Sequence, residues 1–308
     1  MMKLLITDSL FIFPEHEKRL QDAGFEITRL DNPEATEAEL IEAIKGKDAY
    51  ILGGIEKVTA PVIAAADQLK IIALTGTVWQ FFIPAWKEAT DKGIAIANAP
   101  HANAGAVSEW VLATGLAMVR DLFAMGRTGS DSFGTKPGLS DLHVGVVGLG
   151  HVGMKVATLY QAIGVKKVSY WNRSPRDVPF EKLELDDLLK TADLVCVCAS
   201  RDAGDNFIDA RKLSLLKDGA IITCMDDEIM EDEALLAELK SGRIRAFLDR
   251  TMKPEFDELP LHTFYNSNKN TAYNTHSANK LASDMVTDSV INVMGGKADP
   301  CVVNREQM

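Results

Sequence analysis

The chain is short of positive charge. Its 308 residues hold 33 lysines and arginines against 44 aspartates and glutamates, a formal net charge of −11. No basic run gathers the cations into a patch, so a nucleic-acid partner is not expected. Long apolar runs are missing as well. No stretch approaches the roughly 18 consecutive apolar residues of a bilayer-spanning helix. The opening MMKLLITD carries Lys3 and Asp8 without the apolar centre of a secretory signal, and reads as a first strand. The setting expected from this is cytoplasmic, away from membranes. Cysteine is scarce, at positions 196, 198, 224 and 301 only. Cys196 and Cys198 alternate within an apolar run, Leu194 to Cys198, as packing residues do. Reduced thiols and no metal site are expected. No short-period repeat or low-complexity segment interrupts the chain.

What is present is a regular alternation of short apolar runs and helical patterns. Strands are expected at Lys3–Ile6, Phe25–Leu30, Ala49–Leu52, Ile71–Leu74 and Ile94–Ala97. Thr36 with Glu39 makes a capping box before Leu40, Ile41 and Ile44. Gly24, Gly46 and Gly93 stand where helices should stop. Ala104 to Ala124 reads as one long apolar helix linking two domains. Further strands are expected at Val144–Val147, Val168–Trp171, Leu194–Cys198, Ala220–Cys224, Arg245–Leu248 and Thr271–Asn274, six in all. Asp232–Lys240 is a helix closed by Gly242, and Lys280–Met294 a last helix ended by Gly295-Gly296. That last helix is expected to pack back on the first domain. Alternation of this kind gives an α/β protein with parallel sheets covered on both faces.

One stretch carries chemistry. Val144 to Val147 leads into Gly148, Gly150 and Gly153, a G-x-G-x-x-G. A helical pattern follows, with Val152, Val156, Leu159 and Ile163 on one face, then Gly164 and a second strand. Strand, glycines, helix and strand in that order form the dinucleotide fingerprint. The first glycine permits a tight turn, the second lets a pyrophosphate approach, and the third lets helix and strand pack closely. The helix N-terminus supplies free amides and partial positive charge. Gly148, Gly150, His151, Val152 and Gly153 are the candidate phosphate-binding residues. An acid at the end of the second strand would select NAD through the ribose 2′-OH. Here the tip is Asn172-Arg173-Ser174, a guanidinium and a hydroxyl suited to a 2′-phosphate. The cofactor expected is NADP, with NAD possible. Ala199, Ser200 and Asp249, at the ends of later strands, complete the cofactor-binding candidates.

Several longer pieces together resemble the D-isomer-specific 2-hydroxyacid dehydrogenases. They are GIAIANAPHANAGAVSEW (93–110), VGVVGLGHVG (144–153), LLKDGAIIT (215–223), DEALLAELKSGRI (232–244), LD (248–249), NTAYNTH (270–276) and CVVN (301–304). The resemblance implies a Rossmann nucleotide-binding domain, 104–274, inserted in a flavodoxin-like substrate domain made of 1–103 and 275–308. It also implies a homodimer, a small-molecule substrate, and hydride transfer to or from a substrate carbon. Three residues act in the family: an Arg holding the substrate carboxylate, a His exchanging the proton, and a Glu paired with that His.

His276 stands at the His position, in Asn274-Thr275-His276, and an imidazole suits proton exchange near neutrality. The Arg is replaced: Ile222-Thr223-Cys224-Met225-Asp226-Asp227 puts Asp226 in its place. Two unit charges about 4 Å apart interact by roughly 4 kcal/mol at an effective dielectric of about 20, so this inversion opposes a substrate carboxylate. Asp226 either faces the substrate or turns to solvent in an acidic helix start. Pro254 occupies the Glu position, and Glu255 one step later is the candidate replacement. The first-domain loop, Thr75 to Pro84, brings Gly76 and Trp79 as substrate candidates. Its aromatics form either an apolar pocket wall or buried core and dimer contacts. Arg250 is the nearest cation able to replace the lost anchor. The reading expected is an NADP-linked oxidoreductase for a carbonyl or imine compound that is not a simple acid. An ordinary 2-keto acid reductase, or a cofactor-binding protein without catalysis, are the alternatives.

Overall fold

Most of the short apolar runs become strands, and the central ones are buried on both faces. The computed structural model describes all residues except 8–11, 33, 130–134, 200–202, 226–228, 268 and 308. It divides into two compact units, Met1–Asn103 with Thr275–Met308, and Ala104–Asn274.

In the first unit the chain runs β1 (Met2–Thr7), α1 (Pro14–Asp22), β2 (Phe25–Leu30), α2 (Glu37–Ile44), β3 (Ala49–Leu52), α3 (Ala60–Ala65), β4 (Ile71–Leu74), α4 (Trp79–Phe82), α5 (Trp86–Asp91) and β5 (Ala95–Asn98). The strands form one parallel sheet in the order β2-β1-β3-β4-β5. This is the flavodoxin-like order, whose direction of growth reverses between β1 and β3. Alternate residues go to opposite faces. Leu5, Tyr50, Leu52, Ile72, Leu74 and Ile96 pack with α2, α3 and α5 on one side, and Leu4, Ile6, Ile51, Ala73 and Ala97 on the other. The capping box is formed: Glu39 N donates to Thr36 Oγ1 at 3.3 Å, and Thr36 N donates to Glu39 Oε2 at 2.8 Å.

The second unit continues with α6 (Ala104–Val119), α7 (Leu122–Thr128), β6 (His143–Val147), α8 (His151–Ala162), β7 (Lys167–Trp171), β8 (Glu181–Lys182), α9 (Leu185–Thr191), β9 (Leu194–Val197), α10 (Ala210–Ser214), β10 (Ile221–Cys224), α11 (Asp232–Lys240), β11 (Arg245–Leu248) and β12 (Phe264–Asn266). Its seven-stranded parallel sheet has the order β12-β11-β10-β9-β6-β7-β8. Counted within the unit this is the doubly wound dinucleotide-binding order with one strand added at an edge. Cys196 packs with Val144, Val146 and Tyr160 on the α6–α8 face, and Cys224 lies on the opposite face. The chain then returns to the first unit with α12 (His276–Met294). Ala282, Val286 and Val290 of α12 cover β3, β4 and β5.

Three expectations need correction. Thr271–Asn274 is a turn, closed by Asn274 N to Thr271 O at 2.9 Å; Phe264–Asn266 is the last strand, and the short strand Glu181–Lys182 brings the total to seven. The backbone amides of Thr271 and Ala272 donate to the Asp249 carboxylate and so are not free to pair with a neighbouring strand. The helix from Ala104 does not run to Ala124. Asp121 takes a left-handed conformation, φ 56°, where Arg245 bonds both Asp121 Oδ1 at 2.7 Å and the Met118 carbonyl at 3.0 Å. That guanidinium takes a last-turn carbonyl and ends the helix. The final helix begins at His276, four residues early, because Thr275 Oγ1 accepts from Ala278 N at 3.2 Å.

Two buried polar side chains hold element ends. Asn304 is wholly buried. Its Nδ2 donates to Thr90 Oγ1 and Ile94 O, each at 2.9 Å, and its Oδ1 accepts from Ile96 N at 2.8 Å. Asn304→Ala strands these partners, each worth about 1–3 kcal/mol when unsatisfied, so urea unfolding should show a loss of roughly 2–4 kcal/mol. His143 opens β6 with Nδ1 3.1 Å from the Thr191 carbonyl and Nε2 2.6 Å from Ser169 Oγ. The carbonyl can only accept, so Nδ1 carries the proton and Nε2 accepts from the hydroxyl. Burial pushes the His143 pKa below its ordinary 6.5. The contribution is therefore present above the unfolded value and is lost as pH falls below it. Thermal unfolding between pH 5 and 8 should show a drop on the acid side that His143→Asn makes smaller.

Candidate functional site

The turn between β6 and α8 is built by what its glycines lack. Gly148 has φ 90°, and a Cβ there would lie 2.6 Å from the backbone N and Cα of Ala199. A Cβ on Gly153 would lie 2.0 Å from the Gly148 carbonyl oxygen. Both must be glycine for β6, α8 and the end of β9 to meet. Gly150, the N-cap of α8, is different: a Cβ there meets nothing within 4 Å. The protein itself does not require that glycine, and the surface it leaves bare lies beside the first-turn amides of α8. Those amides have no acceptor within the helix. An anion is the natural partner for them. The turn is further braced by Gly148 N to Trp171 O at 2.8 Å and Leu149 N to Asn172 Oδ1 at 3.1 Å.

Strand order reverses between β6 and β9, the switch point at which ligands bind in such sheets. There a cavity of about 150 Å³ is lined by Val107, Val152, Val197, Cys198, Ala199 and Met225. Val107 and Met225 were not expected from the sequence. Their lining position follows from α6 and β10 arriving beside β9, which no local pattern announces. Burial raises the Cys198 thiol well above its usual range, so it stays protonated and is no nucleophile.

At the end of β7 the Asn172 side chain is engaged within the turn, its Nδ2 donating to Ser174 O at 3.0 Å. Arg173 and Ser174 are exposed. Arg176 is exposed in the same loop, and sequence reasoning missed it. Tyr170 Oη accepts from Arg176 N at 3.0 Å and donates to Arg176 O at 3.2 Å, folding the loop back onto β7. A second arginine three residues after the first was the available signal. The glycine cradle and the bare face of Gly150 fit a dinucleotide.

Other candidates have structural employment. Asp249 is 2% exposed. It accepts from Thr271 N at 3.0 Å and Ala272 N at 2.7 Å, and also from the hydroxyls of Ser267 and Thr271. Arg250 is buried with Nη2 2.5 Å from Asp232 Oδ1, so the proposed replacement anchor already has a carboxylate of its own. Glu255 is exposed in a single 3-10 turn, Pro254–Phe256. Asp226 and Ser200 lie outside the described residues. In the first unit Trp79 packs edge-to-face on Trp86, centroids 5.7 Å apart, against the α2–α3–α5 core. It is half-buried, with one side of its ring on that core. Phe81 is 52% exposed under Lys57, whose Nζ lies 4.2 Å from the ring centroid. Gly76 accepts from Ala99 N at 3.0 Å through its carbonyl. His276 is exposed at the first position of α12. Among the described residues no three His, Cys, Asp or Glu gather as metal ligands, and no helix is long and apolar enough to cross a membrane.

Gly150 and Gly153 should separate by experiment. Gly150→Ala should unfold at the parent temperature yet bind the reduced nicotinamide dinucleotide about tenfold or more weakly, since only the approach of phosphate is obstructed. Gly153→Ala should lose both thermal stability and binding. Circular dichroism and fluorescence titration check the pair.

Residues 112–278 match the D-isomer specific 2-hydroxyacid dehydrogenase, NAD binding domain. The D-3-phosphoglycerate dehydrogenase of Methanocaldococcus jannaschii is 30% identical over 99% of this chain and 60% of its own length. The chain therefore spans less than two thirds of that relative. The hydroxypyruvate reductase of Thermotoga maritima is 30% identical over 68% of this chain and 70% of that protein. Among solved structures, the TT0316 protein of Thermus thermophilus superposes with a TM-score of 0.84 at 24% identity, covering 98% of this chain and 100% of that one. It shares the fold. Glycine turn, strand orders and these likenesses agree: the chain belongs to the D-isomer-specific 2-hydroxyacid dehydrogenase family, and its second unit carries that family's NAD-binding domain.

Proposed function

We propose that this chain is an NADP(H)-dependent oxidoreductase acting on a carbonyl, hydroxyl or imine group of a small substrate that is not a simple 2-keto acid. The observation that carries the cofactor preference is the tip of β7. Asn172 is engaged inside the turn, Arg173, Ser174 and Arg176 are exposed, and residues 172–176 contain no acid. A 2′-phosphate would find two guanidiniums there, and a bare 2′-OH would find no carboxylate.

The bound dinucleotide supplies or accepts the hydride at nicotinamide C4. His276 gives the proton to the substrate oxygen or nitrogen on reduction and takes it back on oxidation. The substrate class rests on residue 226. An aspartate where the family has its arginine repels a carboxylate and favours a hydroxyl or a protonated amine. Glu255, one residue past the family's glutamate position, is the carboxylate proposed to assist His276. Exposed Leu122 and Met125 on α7 support a homodimer through the second unit, and a cytoplasmic setting accords with the free cysteines.

A second reading, reduction of an ordinary 2-keto acid, is favoured by the names of the relatives. It needs a different anchor, and backbone amides of the first-unit loops would have to serve because Arg250 is paired with Asp232.

Titration should show NADPH binding more tightly than NADH. Arg173→Ala should weaken NADPH by about 10- to 100-fold, as loss of a charge-assisted bond does, and leave NADH unchanged. In a carbonyl and imine panel with NADPH, turnover is expected on neutral or cationic compounds. Turnover of hydroxypyruvate or glyoxylate at about 1–1,000 s⁻¹, the common range, decides for the second reading.

A further inference from the structure

The proton-carrying role given to His276 above raises the question of what holds its ring, since the family's glutamate position is Pro254 here. The first unit contains an answer. Phe13 meets the His276 ring edge-to-face, with centroids 5.1 Å apart and planes at 62°. Phe13 is itself fixed. Pro14 follows it and restricts its backbone to the extended region, φ −84° and ψ 161°. Its N–H donates to His16 Nδ1 at 3.2 Å. His16 is wholly buried, and its Nε2 lies 3.1 Å from Asp284 Oδ1. Since Nδ1 accepts, Nε2 carries the hydrogen and donates to the carboxylate. Asp284 also receives Arg19 Nη1 and Lys280 Nζ, each at 3.0 Å. Asp284 lies on α12, eight residues beyond His276 and on the same helix.

The contacts close on themselves: His276, Phe13, His16, Asp284 and back along α12. We propose that Phe13, tied to α12 through His16 and Asp284, is the positioning residue of His276 and fixes the orientation of its ring. The aromatic ring limits the rotamers of a side chain otherwise exposed at a helix start. This rests on the reading of His276 as the proton carrier, and the test keeps the two apart.

Phe13→Leu removes the π face and keeps the N–H bond to His16. Phe13→Tyr keeps the ring. His16→Gln retains an acceptor for the Phe13 N–H and changes the tie to Asp284. The first readout is the ring resonances of His276 in protein carrying labelled histidine, assigned by loss of signal in His276→Gln. Phe13→Leu should move them toward those of a free exposed histidine, Phe13→Tyr should leave them in place, and His16→Gln should broaden or shift them. The second readout is kinetic, with NADPH and whichever panel compound is reduced. Phe13→Leu should lower kcat about tenfold with KM and NADPH affinity unchanged, the pattern of an interaction made in the transition state, and Phe13→Tyr should recover it. Unmoved His276 resonances in Phe13→Leu overturn the proposal, as does a change in KM alone or equal damage from Phe13→Tyr. If no compound in the panel is reduced, the functional reading falls, and the resonances still decide whether Phe13 holds His276.

Discussion

The second unit depends on how closely β6 approaches the start of α8. With no side chain at Gly153, the Gly148 carbonyl fits against the helix, and with none at Gly148, Ala199 at the end of β9 fits against the turn. These two approaches set the rest. They aim the first-turn amides of α8 outward, bring Leu149 N within reach of Asn172, and leave a cavity beside β9. A methyl group at either glycine would push apart backbone, which cannot yield as a flexible side chain can.

The abundance of carboxylates shapes the fold as much as any site. Asp249 collects two amides and two hydroxyls from a single turn. Asp299, 3% exposed, accepts from Ser289 Oγ, Asn292 Nδ2 and Cys301 N, each at 2.9 Å. Asp232 pairs with buried Arg250. A buried charge is tolerated only where donors surround it, so these acids specify the loops around them. The same requirement explains the bonds that Asp249 and Arg250 make within the second unit.

Much of the architecture was legible in the chain because its signals are local. Ala49–Leu52 and Ile71–Leu74 are apolar runs too short for helices and lacking polar alternation, and the pattern of a strand buried on both faces needs nothing further. The glycine fingerprint was legible for the same reason, since its three roles lie within six residues. The failures concern partners distant in sequence. Thr271–Asn274 has the composition of a strand, and its amides were claimed by a carboxylate 22 residues away. The helix from Ala104 has no internal stop signal, and Arg245, 124 residues beyond Asp121, ends it.

By itself the sequence determined two parallel α/β sheets, a phosphate-accepting turn, and membership of a dehydrogenase family. Each of these follows from residue types at short spacing, where backbone geometry leaves few alternatives. Only the tertiary structure decided that Trp79 packs edge-to-face on Trp86, that Arg250 already has a partner, and that Phe13 lies against His276. Those outcomes depend on which side chains meet after the helices pack, and a contact such as that between Phe13 and His276 leaves no local trace in a single chain.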